Sequence, residues 1–238
     1  MLIQRKKYFK TLVHFSTSEV YGKRQLTPSY GETTSDLILG PTQNLRWIYA
    51  TSKILLEQLI NAYNCNSVVV RCFNFVGHDI DWIPVYDGQK EWIPRVYSCF
   101  MNSLMSGESL KVVNPGTQKR CYTHIDDAIS ALALIDTNWN KCKGKVFNIG
   151  VPENEISILE LAKMMTNFMG EITEKIIKQN IQTVDGTELY GKGYEDSERR
   201  VPDISLIRDT VGWQPKFDLE TTFKASMLKT IETFKDNY

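Results

Sequence analysis

Tyr49 and Lys53 stand four residues apart in a stretch with helical periodicity, a spacing that puts both side chains on one helix face. A phenol titrates near ~10 and is a poor base at neutral pH. An ammonium beside it favours the phenolate and lowers that value. Upstream, Thr17 and Ser18 follow a short β-prone run, and strand C-terminal ends are where open α/β sheets place ligands. A hydroxyl there can hold a sugar hydroxyl whose proton Tyr49 removes. Loss of that proton lets a hydride leave the same carbon, which is work for a nicotinamide cofactor. The YxxxK spacing alone is weak, because solvated helix faces contain it by chance. More specific is the ordered set Ser16-Thr17-Ser18-Glu19-Val20-Tyr21-Gly22, the tyrosine helix, then Arg71-Cys72-Phe73-Asn74-Phe75-Val76-Gly77.

These residues need strands and helices in alternation to hold them. Residues 11–16 and 67–72, the latter with Val68-Val69-Val70 in a row, read as buried strands. Residues 26–40 and 79–92 read as loops, and residues 44–63 as the helix carrying Tyr49 and Lys53. A helix is expected over 94–105, ending at Gly107, then a strand over 110–113 closed by an Asn114-Pro115-Gly116 turn. Residues 126–135 (helix), 145–149 (strand) and 157–168 (helix) follow, the last with Ser157 and Glu160 at capping-box spacing. Residues 176–184 are strand-like, 185–202 form a polar loop, and 204–211 and 219–234 are helical. The alternation predicts an α/β fold with a parallel sheet.

Composition narrows the function. The 238 residues suffice for one good domain or a domain plus a small lobe. Lys+Arg and Asp+Glu balance at 28 each, so there is no general pull toward nucleic acid or an anionic membrane. The five cysteines are odd in number and lack CxxC spacing, which argues against a disulfide scaffold or zinc site. With three histidines, no metal is expected. Reduced thiols point to a cytoplasmic protein. No apolar run reaches membrane-spanning length, and the basic residues Arg5, Lys6, Lys7 and Lys10 lack the apolar core of a signal peptide.

With those motifs in order, the chain resembles the NAD-dependent epimerase/dehydratase family of extended short-chain dehydrogenases. More narrowly it resembles the UDP-glucuronate oxidative decarboxylase domain of the bacterial polymyxin-resistance enzyme, and it is also similar to plant UDP-apiose/UDP-xylose synthase. The resemblance extends through Arg46-Trp47-Ile48-Tyr49, Gln118-Lys119-Arg120, Asn148-Ile149-Gly150, Tyr190-Gly191-Lys192-Gly193-Tyr194 and Arg199-Arg200-Val201-Pro202. It implies the C-terminal part of a Rossmann-like doubly wound parallel sheet plus a small α/β substrate-binding lobe. Residues 1–78 would be the partial NAD-binding domain and 79–238 mainly the UDP-sugar lobe, with segments around 121–150 returning to the sheet. It implies NAD as cofactor and a UDP-sugar as substrate. Thr17 and Ser18 would contact substrate and nicotinamide, Tyr49 would be the oxidation base, and Lys53 would bind the ribose. Glu19 and Arg200 match the acid/base and carboxylate-handling residues of the decarboxylase. Asn74, Arg95, Lys111, Lys119, Arg120 and Tyr194 match the UDP-sugar site. The chemistry fits: oxidising C4 of UDP-glucuronate makes a β-keto acid, and an arginine can grip its carboxylate bidentately. Plainer readings stand beside these. Glu19 can be a cap, Asn74 a turn residue, Arg199 and Arg200 surface charges, and Cys72 and Cys121 buried small hydrophobes.

The sequence also departs from that pattern. Family members begin with a strand and a GxxGxxG turn that holds the NAD diphosphate, and no such motif occurs in the 238 residues. Roughly four strands of the expected sheet would be missing as well. The expectation is a fragment or a truncated product, or a protein whose other half comes from a homo-oligomer or a full-length relative. Alone it would bind NAD weakly and be poorly soluble, because the strand at 11–16 would be an open edge. Ser18 and Thr51 stand where the plant synthase carries cysteines, which leans toward plain decarboxylation, although residues 81–96 look more plant-like. The alternatives are a UDP-apiose/xylose synthase or other UDP-sugar epimerase or dehydratase, and a non-catalytic UDP-sugar-binding or partner subunit left by truncation.

Overall fold

The structure is a computed structural model and describes residues 10–23, 27–78, 95–191 and 193–234; the expected loop at 79–92 lies outside the described residues. In chain order, β1 (Leu12–Thr17) leads through α1 (Ile48–Ala62) to β2 (Ser67–Cys72) and the short β3 (Phe75–Val76). Then come α2 (Val96–Ser106), β4 (Leu110–Val113), β5 (Lys119–Cys121), β6 (Thr123–His124) and α3 (Ile125–Thr137). After the single turn α4 (Trp139–Cys142) follow β7 (Val146–Ile149), β8 (Glu155–Ser157) and α5 (Ile158–Thr173). The chain continues with β9 (Ile181–Val184), α6 (Gly186–Tyr190), β10 (Arg199–Arg200), α7 (Ser205–Val211) and α8 (Leu219–Thr233).

The main sheet is parallel, in the order β1-β2-β7. Its centre is the valine run: Val68 and Val70 face one way, packing with Ala128, Ile135, Phe147 and Trp213, while Val69 faces the other, against Ile60 and Cys65. Burial of both faces is why this strand is continuously apolar rather than alternating. Among the described residues β1 pairs only with β2, leaving it at the sheet edge with Phe15 about half exposed. A second core gathers Tyr97, Phe100, Met101, Leu161, Met165 and Phe223 from α2, α5 and α8. Around it lie the β4–β9 pair and the small β10-β5-β8 sheet.

Several local signals act as read. Ser157 and Glu160 close a reciprocal capping box at α5, and Gly107 ends α2 in the left-handed region. Two readings need correction. The strand expected at 176–184 spans only Ile181–Val184. The 185–202 segment is not merely loop. Asp185 caps α6 through the Thr187 amide, and Arg199 and Arg200 pair with Lys119 and Arg120 as β10.

Candidate active site

β1 ends where the chemistry begins. Thr17 caps a tight 3-10 turn, Ser18–Tyr21, its hydroxyl accepting from the Glu19 amide at 3.2 Å. Tyr49 sits in the first turn of α1 and Lys53 one turn on, with the Lys53 Nζ 5.7 Å from the Tyr49 ring centroid. Burial pushes the Tyr49 phenol above its ordinary value, against a hydrogen bond with Thr17 that favours the phenolate. This corrects the expectation of a lysine-lowered phenol. The Lys53 ammonium donates instead to the Phe15 carbonyl at 2.7 Å, tying α1 to the end of β1.

A buried polar network fixes this corner. Ser16 Oγ donates to Glu57 Oε1 at 2.5 Å. Arg71 grips Glu57 through Nε (3.2 Å) and Nη2 (2.7 Å) and donates from Nη1 to the Tyr21 hydroxyl at 3.0 Å. Tyr21 donates to Asn148 Oδ1 at 2.8 Å and stacks on Tyr30 with centroids 4.7 Å apart. Each partner comes from a different element, so the network holds the turn bearing Glu19 to α1, β2 and β7. Low dielectric strengthens such a network when its members are satisfied.

Glu19 projects from that turn into a cavity of about 880 Å³. Arg46 Nη1 lies 2.5 Å from one carboxylate oxygen and Arg200 Nη1 3.5 Å from the other. Burial alone would raise the Glu19 carboxyl, but Arg200 and Arg46 outweigh it and hold the group at about 2. Glu19 is therefore a fixed carboxylate at neutral pH and not a ready proton donor. Arg200 is buried, not a surface charge. Burial and repulsion from Arg120 bring its guanidinium down to about 10, against the pull of Glu19 and Asp196. Its Nε has no hydrogen-bond partner among the described residues.

The register of two short strands explains this crowding of arginines. Pairing Arg200 with Arg120 and Arg199 with Lys119 sends alternate residues to opposite faces. Arg120 joins the cavity, anchored by Asp196 at 2.5 Å and by the Ser197 carbonyl. Arg199 instead forms a two-point pair with Glu155 at 2.6 and 3.0 Å. Lys119 is exposed and absent from the cavity wall, so its expected place in the ligand site is corrected by strand alternation.

Of the other expected residues, Asn74, Arg95, Lys111 and Tyr194 line the cavity. Asn74 is also a turn residue, at φ +39°, with its side-chain amide donating to the Cys121 carbonyl at 2.8 Å. Tyr194 stacks on Tyr190, centroids 4.8 Å apart, over Gly186, where a Cβ would come within 2.4 Å of its ring. Thr17, Ser18, Tyr49 and Lys53 lie outside the cavity wall, with Glu19 between the two groups. Sequence reasoning gave no site role to Arg46, although it stands three residues before Tyr49, nor to Asp196 or Tyr122. Burial raises Cys72 to about 12 and lifts Cys121 as well, so both are protonated at neutral pH. His124, given no role from sequence, caps α3 by accepting from the Asp126 amide at 3.1 Å.

The profile of the NAD dependent epimerase/dehydratase family matches residues 2–150. The chain is 36% identical to the UDP-D-apiose/UDP-D-xylose synthase of Oryza sativa subsp. japonica, covering 95% of this chain and 62% of that protein. It is 36% identical to the bifunctional polymyxin resistance protein ArnA of Wigglesworthia glossinidia brevipalpis, over 97% of this chain and 35% of that one. The crystal structure of the PbgP3 protein from Burkholderia pseudomallei superposes with a TM-score of 0.82 at 32% identity, covering 99% of this chain and 68% of that one. The chain thus spans about 62% of the length of the rice synthase. By its matched profile, its motifs and its parallel sheet, this chain belongs to the NAD dependent epimerase/dehydratase family.

Proposed function

We propose that this protein carries out NAD-dependent oxidative decarboxylation of UDP-glucuronate, releasing a UDP-4-keto-pentose or, if the hydride returns first, UDP-xylose. The observation that carries the reading is Arg200. It is a buried guanidinium on the cavity wall, with its Nη1 3.5 Å from the Glu19 carboxylate.

The residues at the end of β1 fit the nicotinamide end of NAD. Lys53 is a cationic donor beside the sheet's C-terminal edge, and Thr17 and Tyr49 offer hydroxyls next to it. NAD, when bound there, would accept the hydride released from C4 of the sugar. The Thr17 hydrogen bond favours the Tyr49 phenolate, bound nicotinamide's positive charge would favour it further, and in that form Tyr49 takes the C4 hydroxyl proton. Arg200 grips the substrate carboxylate. The C4 ketone accepts the electrons of the breaking C5–carboxylate bond as CO2 departs, and the resulting enolate takes a proton at C5. Glu19, kept ionised, fixes Arg46 and Arg200 and can accept from an ordered water that delivers this proton. Asn74, Arg95, Lys111, Arg120 and Tyr194 hold the UDP portion. Residues 1–78 with the returning segment around 121–150 form the cofactor side, and 79–238 mainly the sugar-nucleotide lobe. Ser18 and Thr51, in place of the plant synthase's cysteines, favour decarboxylation without ring contraction.

Among the described residues no helix is long and apolar enough to cross a membrane. The reading takes the protein as a cytoplasmic enzyme, on its reduced thiols, working as a homo-oligomer or beside a full-length relative. The test is incubation of the full-length protein with UDP-glucuronate and NAD+, following reduced nicotinamide and CO2. Release of CO2 with a UDP-pentose product supports the reading. A 4-epimerised UDP-uronate instead would overturn it. One second reading is a UDP-sugar-binding subunit without turnover, favoured by a cavity wall that leaves out Thr17, Ser18, Tyr49 and Lys53. Binding of UDP-glucuronate with no product, even with a full-length relative present, would establish that one.

A further inference from the structure

Glu195 stands between two residues of the cavity wall, Tyr194 and Asp196, without belonging to that wall itself. Tyr194 stacks on Tyr190, and Asp196 anchors Arg120. The Glu195 carboxylate is committed instead to the chain that leads into α1. It accepts from the Trp47 indole Nε1 at 2.8 Å and from Lys23 Nζ at 3.0 Å. Together with a hydrogen bond from Asn44, these donors hold its carboxyl below the ordinary range, so it is ionised at neutral pH. Gly40 leaves the room for this contact: a Cβ there would collide with both Trp47 Nε1 and the Glu195 carboxylate.

The donors come from the segments that carry the chemistry. Lys23 follows the turn bearing Glu19. Trp47 is the last residue before α1, next to Arg46 and two residues ahead of Tyr49. Trp47 is buried, the Arg46 guanidinium lies 5.5 Å from its ring centroid, and Arg46 in turn holds Glu19. The Lys23–Glu195 pair adds little stability, because its side chains are 39% and 32% exposed and exposed ion pairs are weak. What the carboxylate fixes is placement. It ties Trp47, and with it Arg46 and Tyr49, to the segment whose neighbouring residues line the cavity. Misplacing a reacting group by about 1 Å costs about 10²-fold in rate. We propose that Glu195 is a positioning residue that, through Trp47, sets Arg46 and Tyr49 against the sugar held by the Tyr194–Asp196 segment. The proposal rests on the reading of the cavity and of Tyr49 given above.

The test uses the full-length protein carrying Glu195→Ala, Glu195→Gln, Trp47→Phe, or Glu195→Ala with Trp47→Phe. Two quantities are read: the first-turnover rate of nicotinamide reduction at saturating UDP-glucuronate, and the Kd of UDP by calorimetry without NAD. Glu195→Ala should slow reduction about ten- to hundred-fold. Its UDP Kd should stay within about twofold of wild type, because Tyr190 still backs Tyr194 and Arg120 still holds Asp196. Trp47→Phe removes the donor and should slow reduction likewise. The double variant should be no slower than the slower single one, because the two residues act as a unit. Glu195→Gln keeps an acceptor for the indole and should retain the rate within about threefold. A wild-type rate in Glu195→Ala overturns the proposal. So does Glu195→Gln as slow as Glu195→Ala, because the charge facing Lys23 would then matter and not the bond to Trp47. Loss of UDP affinity and Tm in step with the rate also overturns it, since that is the pattern of a merely structural carboxylate. If the wild-type protein itself reduces no nicotinamide, the reading of Tyr49 falls and takes this inference with it.

Discussion

Replacing Glu19 by glutamine isolates the charge balance of the cavity. The fall of Glu19 from 4.5 to about 2 corresponds to about 3 kcal/mol of preference for its ionised form in the folded protein. The lowering of Arg200 from 12.5 to about 10 is a penalty of about the same size on its charged form. Glu19 offsets part of the burial penalty on Arg200, so its removal leaves that cation less compensated. The sign follows from the direction of each shift. Glu19 is depressed, so its contribution is complete above pH 4.5 and is lost as pH falls toward 2. Arg200 is also depressed, so its penalty is complete below about pH 10 and is relieved as pH rises toward 12.5. Glu19→Gln should destabilise by about 3 kcal/mol at pH 7 but only about 1 kcal/mol at pH 3. Adding Arg200→Met should recover about 2 kcal/mol of the pH 7 loss, because the uncompensated cation is gone. Urea unfolding of wild type, single and double variants at pH 7 and pH 3 measures all of this. A loss independent of pH, or a double variant no more stable than Glu19→Gln, would refute the reasoning.

Two further variants separate chemistry from binding. Tyr49→Phe should lower kcat with UDP-glucuronate by about 10²–10⁴-fold with little change in Tm, since Tyr49 is 50% exposed; an active variant would remove Tyr49 as the base. Gly186→Ala should drive a methyl into the Tyr194 ring, 2.4 Å from the new Cβ, and raise KM for UDP-glucuronate several-fold with kcat nearly unchanged. An unaltered KM would show that Tyr194 does not touch the ligand.

The elements that follow local physics were legible in the chain itself. The apolar run at Val68-Val69-Val70 specifies a strand buried on both faces, and the Ser157–Glu160 spacing specifies a helix start. The spacing of Tyr49 and Lys53 puts them on one face of a helix, and the motif order around them identifies the family. Contacts across the chain decided the rest. β5 and β10 are three and two residues long, too short to carry a period, yet their register decides that Arg120 and Arg200 meet in the cavity while Lys119 and Arg199 do not. Lys53 is fixed by the Phe15 carbonyl, and Glu19 is made a permanent carboxylate by Arg46, 27 residues on in sequence, and Arg200, still farther along. Periodicity and caps act over a few residues, so sequence can report them. Charge and hydrogen-bond balance act through space, and only the folded arrangement determines which groups are left facing one another.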